Sequence, residues 1–317
     1  MLARHAEGLF WMGRYLERAE DTARMLDVTY HGALEIGTDS ASSNVWAELL
    51  EVLYLDDVLE DRDVAPGERI GNLLMADRDF PASIPALVQA ARENARGTRE
   101  WLSAEVWEAI NGLYLRLGRV DLEQSSRTQP YDVLRIVRSG CQAAAGSVEA
   151  SMPRGEGHRF FTLGQRFERA MMTIRHLRVW RRRLADLAVP TAYAEWIKLL
   201  RAVSAYEAYL RDYRAEMDGV RVLQFLLQSP DFPRSVFHCV NACERMLVPM
   251  VAAGHGEEAR RQVGRVRSTV EFASVGDLED LAFIESLEDE ITEINGCIES
   301  DFFRPDAGTN MHTFEVF

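Results

Sequence analysis

One helical segment occurs twice in this chain, and this repetition constrains the fold more than any other feature. Residues 9–26 read LFWMGRYLERAEDTARML, and residues 161–177 read FTLGQRFERAMMTIRHL. The Glu-Arg-Ala triplet begins at Glu17 in the first segment and at Glu168 in the second, 151 residues later. Apolar residues recur at spacings of three and four, which is typical of a helix with one buried face. The sequence therefore predicts two copies of one amphipathic helix.

Two further landmarks repeat in the same order. Trp46 is matched by Trp196 at an offset of 150, and the Asp-Phe-Pro of residues 79–81 returns at 231–233, an offset of 152. Three landmarks with nearly equal offsets predict the tandem duplication of one helical repeat. Solenoid repeats are much shorter, at about 20–50 residues. We therefore expect two intertwined halves related by a pseudo-two-fold axis rather than an extended array.

Helical periodicity dominates the chain, and alternating runs of β-branched residues are missing from it. We therefore predict an all-α bundle with about six helices per half. The expected domains are a first helical repeat over about 1–152, a second over about 153–300 and an irregular C-terminal tail over about 301–317, with both repeats in one compact body. Within the first half, a helix opens at the turn containing Pro81, Ser103 caps the next helix, and the polar stretch over about 121–130 is a loop.

The charge and cysteine content exclude several classes of function. The formal net charge of −14 argues against broad binding to nucleic acid or to anionic membranes. No apolar run is long enough to span a membrane, and the N-terminal residues lack the layout of a signal peptide. Four scattered cysteines do not make a disulfide scaffold, so we expect reduced thiols in the cytoplasm.

Motifs for nucleotide, metal or cofactor chemistry do not occur in the sequence. We find neither a P-loop pattern nor Gly-x-Gly-x-x-Gly after a strand, and the Glu-x-x-His pairs of di-metal bundles are missing as well. Cys239 and Cys243 stand four apart beside His238, but a tetrahedral zinc site needs two further ligands. We predict core cysteines there, and neither a metal nor a cofactor.

The retained polar residues of the Glu-Arg helix lie beside its apolar stripe. Relative to Leu16 on a helical wheel, Gly13, Arg24 and Glu17 fall at about 60°, 80° and 100°. The second copy keeps all three types as Gly164, Arg175 and Glu168. Arg18 and Arg169 point about 100° further round, away from the stripe.

Two interpretations of this polar flank stay open. In the first, Glu17 and Glu168 form buried ion pairs with Arg24 and Arg175 that fix helix packing. In the second, both sets converge on a polar cleft for an anionic or amino-bearing ligand, with arginines holding phosphate or carboxylate. The candidate ligand-binding residues of this flank are Arg14, Glu17, Arg18, Arg24, Glu168, Arg169 and Arg175, and the candidate catalytic residues are Glu17 and Glu168.

A second polar stretch supplies further candidates, namely Arg92, Glu93, Asn94 and Arg96. Arg92, Arg96 and Arg99 share one helix face at spacings of four and three. The stretch is either a solvated, ion-paired face or one wall of a site that faces the Glu-Arg helices.

The segments over residues 9–20, 91–96 and 161–169 resemble the bacterial alpha-E family of helical proteins, which is named for a Glu-Arg motif. The resemblance covers nearly the whole chain, although Gln165 replaces the arginine that the first copy has at Arg14. It implies association with a circularly permuted ATP-grasp protein, an enzyme type that joins a carboxylate to an amine using ATP. A role in making or modifying a peptide or amide would follow.

We therefore expect an accessory or substrate-handling protein for an ATP-grasp amide or peptide ligase. One alternative is an enzyme in its own right, with Glu17 or Glu168 as general base. Neighbouring arginines disfavour it, because they lower the pKa that such a base needs raised. Another alternative is a structural dimerisation module, in which case the chain forms a homo-oligomer. Neither nucleic acid nor a membrane is expected as a partner.

Overall fold

The computed structural model describes residues 1–36, 40–55, 66–184, 189–214 and 217–304. Within these ranges the chain forms fifteen α-helices, a 3₁₀ turn and a π-helical turn, with no strand. The all-α prediction is confirmed, whereas the expectation of about six helices per half is too low. None of the described helices combines the length and the apolar character needed to cross a membrane.

The helices preceding the second Glu-Arg segment are α1 (Ala3–Ile36), α2 (Ser40–Leu53), α3 (Pro66–Met75), α4 (Ile84–Gly97), α5 (Ala104–Gly118), α6 (Leu122–Thr128) and α7 (Pro130–Ser151). The remaining helices are α8 (Glu156–Leu184), α9 (Val189–Ala202), α10 (Tyr206–Tyr213), α11 (Gly219–Gln228), α12 (Val236–Ala252), α13 (Glu257–Phe272), α14 (Val275–Glu279) and α15 (Leu281–Ile298). The two Glu-Arg segments lie in α1 and α8.

The described chain divides into two compact units. The first unit is Gly8–Phe161, and the second combines Met1–Glu7 with the described part of Thr162–Met311. In the first unit α5 packs against α4 and α7, and α6 packs against α3 and α7. In the second unit α13 packs against α12 and α15, and α14 packs against α11 and α15.

The helices that pack in this way bury residues in matching register. The buried stripe of α5 is Val106, Ile110, Leu113 and Leu117, and that of α13 is Ala259, Val263, Val266 and Val270, an offset of 153. Buried residues of α7 include Leu134, Val137, Cys141, Ala144 and Val148, and those of α15 include Ile284, Leu287, Ile291, Ile294 and Ile298, an offset of 150. The spacing is shared although most residue types differ.

Both Asp-Phe-Pro landmarks form a turn that ends in a serine N-cap. The Ser83 N–H donates to the Phe80 carbonyl at 3.0 Å, and the Ser235 N–H donates to the Phe232 carbonyl at 3.0 Å. Each serine hydroxyl then accepts a backbone N–H from the first turn of the following helix, α4 or α12. Such caps satisfy amide groups that have no partner inside the helix.

The tryptophan landmarks each pack on a glycine at the start of a short helix. A Cβ added to Gly67 of α3 would lie 3.0 Å from the Trp46 indole, and one added to Gly219 of α11 would lie 2.9 Å from the Trp196 indole. The missing side chain lets the ring approach the helix backbone closely.

Several predicted boundaries are wrong, for local reasons. The turn containing Pro81 leads into the fourth helix as predicted, but Pro81 lies ahead of the Ser83 cap, and the proline of the first turn is Pro85. The predicted loop over residues 121–130 contains α6, which Asp121 caps by accepting the Gln124 N–H at 3.0 Å. This helix is short and buries only Leu122 and Ser126, so it leaves no apolar period in the sequence.

The C-terminal segment also differs from the expected irregular tail. Glu299–Phe303 forms a π-helical turn in which Phe302 and Phe303 are buried. The rest of the predicted tail, residues 305–317, lies outside the described residues.

Candidate functional site

The two Glu-Arg helices bury their glutamates and leave the adjacent arginines half-buried. Glu17 is 1% exposed and Glu168 is 0% exposed. Arg18 and Arg169 are both intermediate in exposure. Since neighbouring residues on a helix point about 100° apart, one side chain enters the core while the next reaches its edge. Neither carboxylate is presented to solvent.

In the first unit, α1 carries a buried cluster of charges. Arg24 pairs with Glu20, and its Nε lies 3.7 Å from Asp21 Oδ1. The Gln142 side chain of α7 donates to Glu20 Oε1 at 3.0 Å. Glu20, Asp21 and Arg24 are each at most 6% exposed, so the pairing compensates charges that would be costly to bury singly.

The same carboxylates act on Cys141, a buried thiol of α7. Burial raises the pKa of Cys141 well above its ordinary value, and the charges of Glu20, Glu17 and Asp21 raise it further. A thiol with a raised pKa stays protonated at neutral pH and is a poor nucleophile. Cys141 is therefore a packing residue beside an acidic cluster.

In the second unit, Glu288 of α15 binds two arginines of α8. Arg175 Nε lies 3.3 Å from Glu288 Oε1, and Arg178 Nε lies 3.0 Å from Glu288 Oε2. Glu288 is 5% exposed. The sequence identified Arg175 as a candidate but missed Glu288, because nothing in the chain marks which α15 residue faces α8.

An ion pair of the first unit recurs at matching positions of the second unit with its two charges exchanged. In the first unit Asp27 of α1 accepts from Arg138 of α7 at 2.7 Å. In the second unit Arg178 of α8, 151 residues after Asp27, pairs with Glu288 of α15, 150 residues after Arg138. These are the offsets of the Glu-Arg segments and of the α7 and α15 buried registers. The pair occupies matching positions with the charges exchanged.

The arginine of the second Glu-Arg pair contacts the turn ahead of α12. Arg169 Nη1 donates to the Pro233 carbonyl at 3.4 Å. One helical turn later, the Thr173 hydroxyl donates to the Arg234 carbonyl at 2.9 Å. These two bonds attach α8 to the Asp-Phe-Pro turn.

The Arg92 stretch lies on α4 and binds α5. Arg92 Nε donates to Asn111 Oδ1 at 2.8 Å, and Glu93 pairs with both Arg92 and Arg96. Asn94 contributes its backbone carbonyl, which accepts from the Thr98 hydroxyl at 2.8 Å. These contacts all lie in the α4–α5 region.

The His238, Cys239 and Cys243 group is bound to backbone carbonyls. The His238 ring lies 2.8 Å from the Pro230 carbonyl, and Cys239 Sγ donates to the Pro233 carbonyl at 3.4 Å. Burial raises the pKa of the Cys243 thiol far above its ordinary range. These thiols behave as small core side chains.

A family model called Alpha-E, described as a predicted alpha-helical domain with a conserved ER motif, matches residues 1–303. The chain belongs to the Alpha-E family. The Glu-Arg dipeptide occurs four times in this Alpha-E chain, at residues 17–18, 68–69, 168–169 and 244–245, and only those at 17–18 and 168–169 continue into alanine as the repeated segment does.

The chain is also similar to uncharacterized proteins of Mycobacterium bovis and Mycobacterium tuberculosis. Each is 23% identical over 308 residues, which covers 90% of this chain and 34% of the relative. The Alpha-E chain thus spans about a third of the length of the curated relatives it matches. No solved structure matches it.

Proposed function

We propose that this Alpha-E chain is a helical accessory or substrate-handling protein that works with an ATP-grasp amide or peptide ligase in the bacterial cytoplasm. The family resemblance supplies the class of ligase. The burial of Glu17 and Glu168, at 1% and 0% exposure, supplies the reason for a role without independent catalysis. A general base must come within hydrogen-bond reach of its substrate, and these two carboxylates lie inside the fold.

The length of the relatives supports an accessory role. The matched segment makes up 34% of each mycobacterial relative. A helical module that makes up a third of a longer chain is covalently linked to the part of the protein that the other two thirds form. Covalent attachment raises the effective concentration of such neighbours, which suits a module that assists another domain.

We also propose that the two units descend from a tandem duplication, with the pseudo-two-fold relation as its expected consequence. The nearly equal offsets of the buried registers, together with the serine caps and the Trp–Gly contacts, support this proposal. The exchanged ion pair supports it further, since two unrelated bundles have no reason to place an ion pair at matching positions. Charge exchange between copies preserves the attraction while changing the surrounding field.

Reversing the first-unit pair tests the duplication. Asp27→Arg and Arg138→Glu singly place like charges together and should each lower the free energy of unfolding by about 1–2 kcal/mol. The double variant reproduces the polarity of the second unit and should recover most of that loss. A double variant as unstable as the sum of its singles would contradict the equivalence of the two positions.

Co-expression with a circularly permuted ATP-grasp protein from the same genome tests the accessory role. We expect a complex by size-exclusion chromatography with light scattering, and a lower ligase turnover when the chain is omitted. A Glu17→Gln/Glu168→Gln variant that stays folded by circular dichroism should keep both properties. Without a complex and without any effect on turnover, the proposal fails.

The same measurements separate the alternatives. Loss of turnover in that folded double variant, with the complex intact, would favour an enzyme that uses the glutamates directly. A dimeric mass for the isolated chain, with no ligase bound, would favour the dimerisation module.

A further inference from the structure

The α4–α5 face of the first unit carries a cluster of arginine and aromatic side chains. We define the arginine–aromatic surface as Arg92, Arg96 and Arg99 together with Trp107, Asn111 and Tyr114 of α5. The three arginines follow one another at spacings of four and three, and the α5 residues do the same. The α5 residues lie along one side of that helix. Arg92 and Arg96 do the same on α4, but the prediction that Arg99 shares their helix face is wrong, because α4 ends at Gly97 and Arg99 begins the 3₁₀ turn that follows. Arg92 connects the arginines to the α5 residues.

Arg92 is fixed in place before any ligand arrives. Its guanidinium lies 4.5 Å from the Tyr114 ring centroid and 5.8 Å from that of Trp107. Asn111 Oδ1 accepts from its Nε at 2.8 Å, and Glu93 lies 2.8 Å from its Nη1. The side chain is 22% exposed. A guanidinium that is already ordered loses little conformational entropy on binding.

The other two arginines reach into solvent. Arg96 is 69% exposed and pairs with Glu93 at 3.1 Å. Arg99 is exposed, donates to the Leu102 carbonyl at 3.1 Å and lies 5.9 Å from the Trp107 ring centroid. Glu93 therefore pairs with both Arg92 and Arg96, so two guanidinium groups share one carboxylate.

The fold does not require these cations, as the matching helices of the second unit show. Glu244 of α12 stands where α4 has Arg92, at an offset of 152, and Arg267 of α13 stands where α5 has Tyr114, at an offset of 153. Arg267 Nε and Glu244 Oε2 form an ion pair at 2.7 Å. Val248, 47% exposed, takes the place of Arg96. Two helices in the same buried register thus pack without an arginine cluster.

We propose that the arginine–aromatic surface binds an acidic peptide segment of a partner protein. Guanidinium groups bind carboxylates through paired, charge-assisted hydrogen bonds, and Trp, Tyr and Arg dominate the energetic centres of protein interfaces. The rings offer apolar contact to the stems of glutamate side chains, which a bare phosphate would not use. A long polyanion such as nucleic acid is disfavoured by the acidic remainder of the chain.

This inference rests on the proposed accessory role, because that role requires a partner protein. Peptide binding can nevertheless be measured without the ligase. The probe is a fluorescein-labelled hexaglutamate peptide, titrated with the full chain by fluorescence anisotropy at low salt. Arg96→Glu/Arg99→Glu should weaken binding by about tenfold or more, because it reverses two charges at the surface. Both side chains are exposed, so the variant should fold.

The matched control is Arg116→Glu/Arg119→Glu, which makes the same charge change at two exposed arginines elsewhere on the α5 segment. We expect at most about a twofold effect there, from the change in net charge. Tyr114→Leu should weaken binding while leaving the net charge unchanged. A hexaglutamine peptide should not bind.

Several results would overturn the inference. These are no binding of hexaglutamate by the unmodified chain, equal weakening by the two arginine pairs, or unchanged binding by Arg96→Glu/Arg99→Glu. Binding of inorganic tripolyphosphate through the same arginines, without the peptide, would reassign the surface to small anions. Peptide binding that follows the expected pattern while the ligase fails to co-purify would sustain this surface and reject the proposed ligase partner.

Discussion

Glu288 provides the most decisive stability test in this molecule. Its carboxylate accepts from Arg175 at 3.3 Å and from Arg178 at 3.0 Å, and the residue is 5% exposed. Glu288→Gln keeps the size of the side chain and removes its charge. Two largely buried guanidinium groups then lose their shared carboxylate. Breaking a buried pair by removing one partner costs about 3–5 kcal/mol, because the remaining charge stays desolvated.

The ion pair between Asp27 and Arg138 of the first unit serves as a more exposed comparison for the Glu288 pairs. Asp27 and Arg138 lie closer together, at 2.7 Å, but their side chains are 24% and 33% exposed. Water therefore solvates each partner when the other is removed, and Asp27→Asn should cost only about 1 kcal/mol. Burial, rather than distance, decides the order. A third ion pair joins Glu285 of α15 to Arg182 of α8, and their side chains are 43% and 51% exposed. Glu285→Gln should therefore cost about 0.5 kcal/mol or less.

Urea unfolding followed by far-ultraviolet circular dichroism measures all three variants. With a slope of roughly 2 kcal/mol per molar urea, Glu288→Gln should lower the midpoint of the affected transition by about 2 M. Asp27→Asn should lower it by about 0.5 M. If Asp27→Asn proves as costly as Glu288→Gln, the reasoning from burial is wrong, because the shorter contact would then be the stronger one.

Three further predictions follow from single side chains. Burial raises the pKa of Tyr30 from 10.0 to about 12, so the folded state holds the phenol proton more tightly than the unfolded state does. The stability that this difference contributes is lost as pH rises from 10 to 12. Tyr30→Phe should therefore reduce the loss of stability over that range in alkaline unfolding curves. Gly219→Ala should cost about 1–3 kcal/mol in thermal unfolding, because its Cβ would lie 2.9 Å from Trp196. Gly296→Ala, with nothing within 4 Å of the added Cβ, should instead gain up to about 1 kcal/mol. The Cys243 thiol, buried and with a raised pKa, should react with a thiol reagent at pH 8 far more slowly in the folded protein than in urea.

The long helices could be predicted from the sequence because each carries a strong apolar period. The predicted Ser103 cap is confirmed, since its side chain accepts the Val106 N–H at the start of α5 (Ala104–Gly118). Short helices could not be predicted in this way. The helix α14 spans five residues and buries only Leu278, so its apolar content carries no period. A serine–aspartate capping box, Ser274 with Asp277, defines its start instead.

The burial of the two candidate glutamates could be predicted from the sequence, whereas the ion-pair partners of the candidate arginines could not. A helical wheel places Glu17 and Glu168 beside the apolar stripe, and both lie in the core. The partner of Arg175 is Glu288, 113 residues away. A search for recurring residue types cannot find Glu288, because the position that matches it holds Arg138, of opposite charge. Only the register of α15 on its neighbours reveals that the two positions correspond.

The surroundings of the two glutamates show why position, rather than local charge, determines their burial. Glu17 shares its helix face with Glu20 and Asp21, whereas Met171 and Met172 hold those positions beside Glu168. An acidic surrounding adds like-charge repulsion and a thioether surrounding removes polar contacts, so both disfavour the charged carboxylate, for different reasons. Yet both glutamates are at most 1% exposed. Because the local charges differ and the burial does not, the angle of each glutamate to the apolar stripe of its helix is the common cause. A functional role for the Glu-Arg motif must therefore be compatible with a carboxylate that is enclosed in both copies.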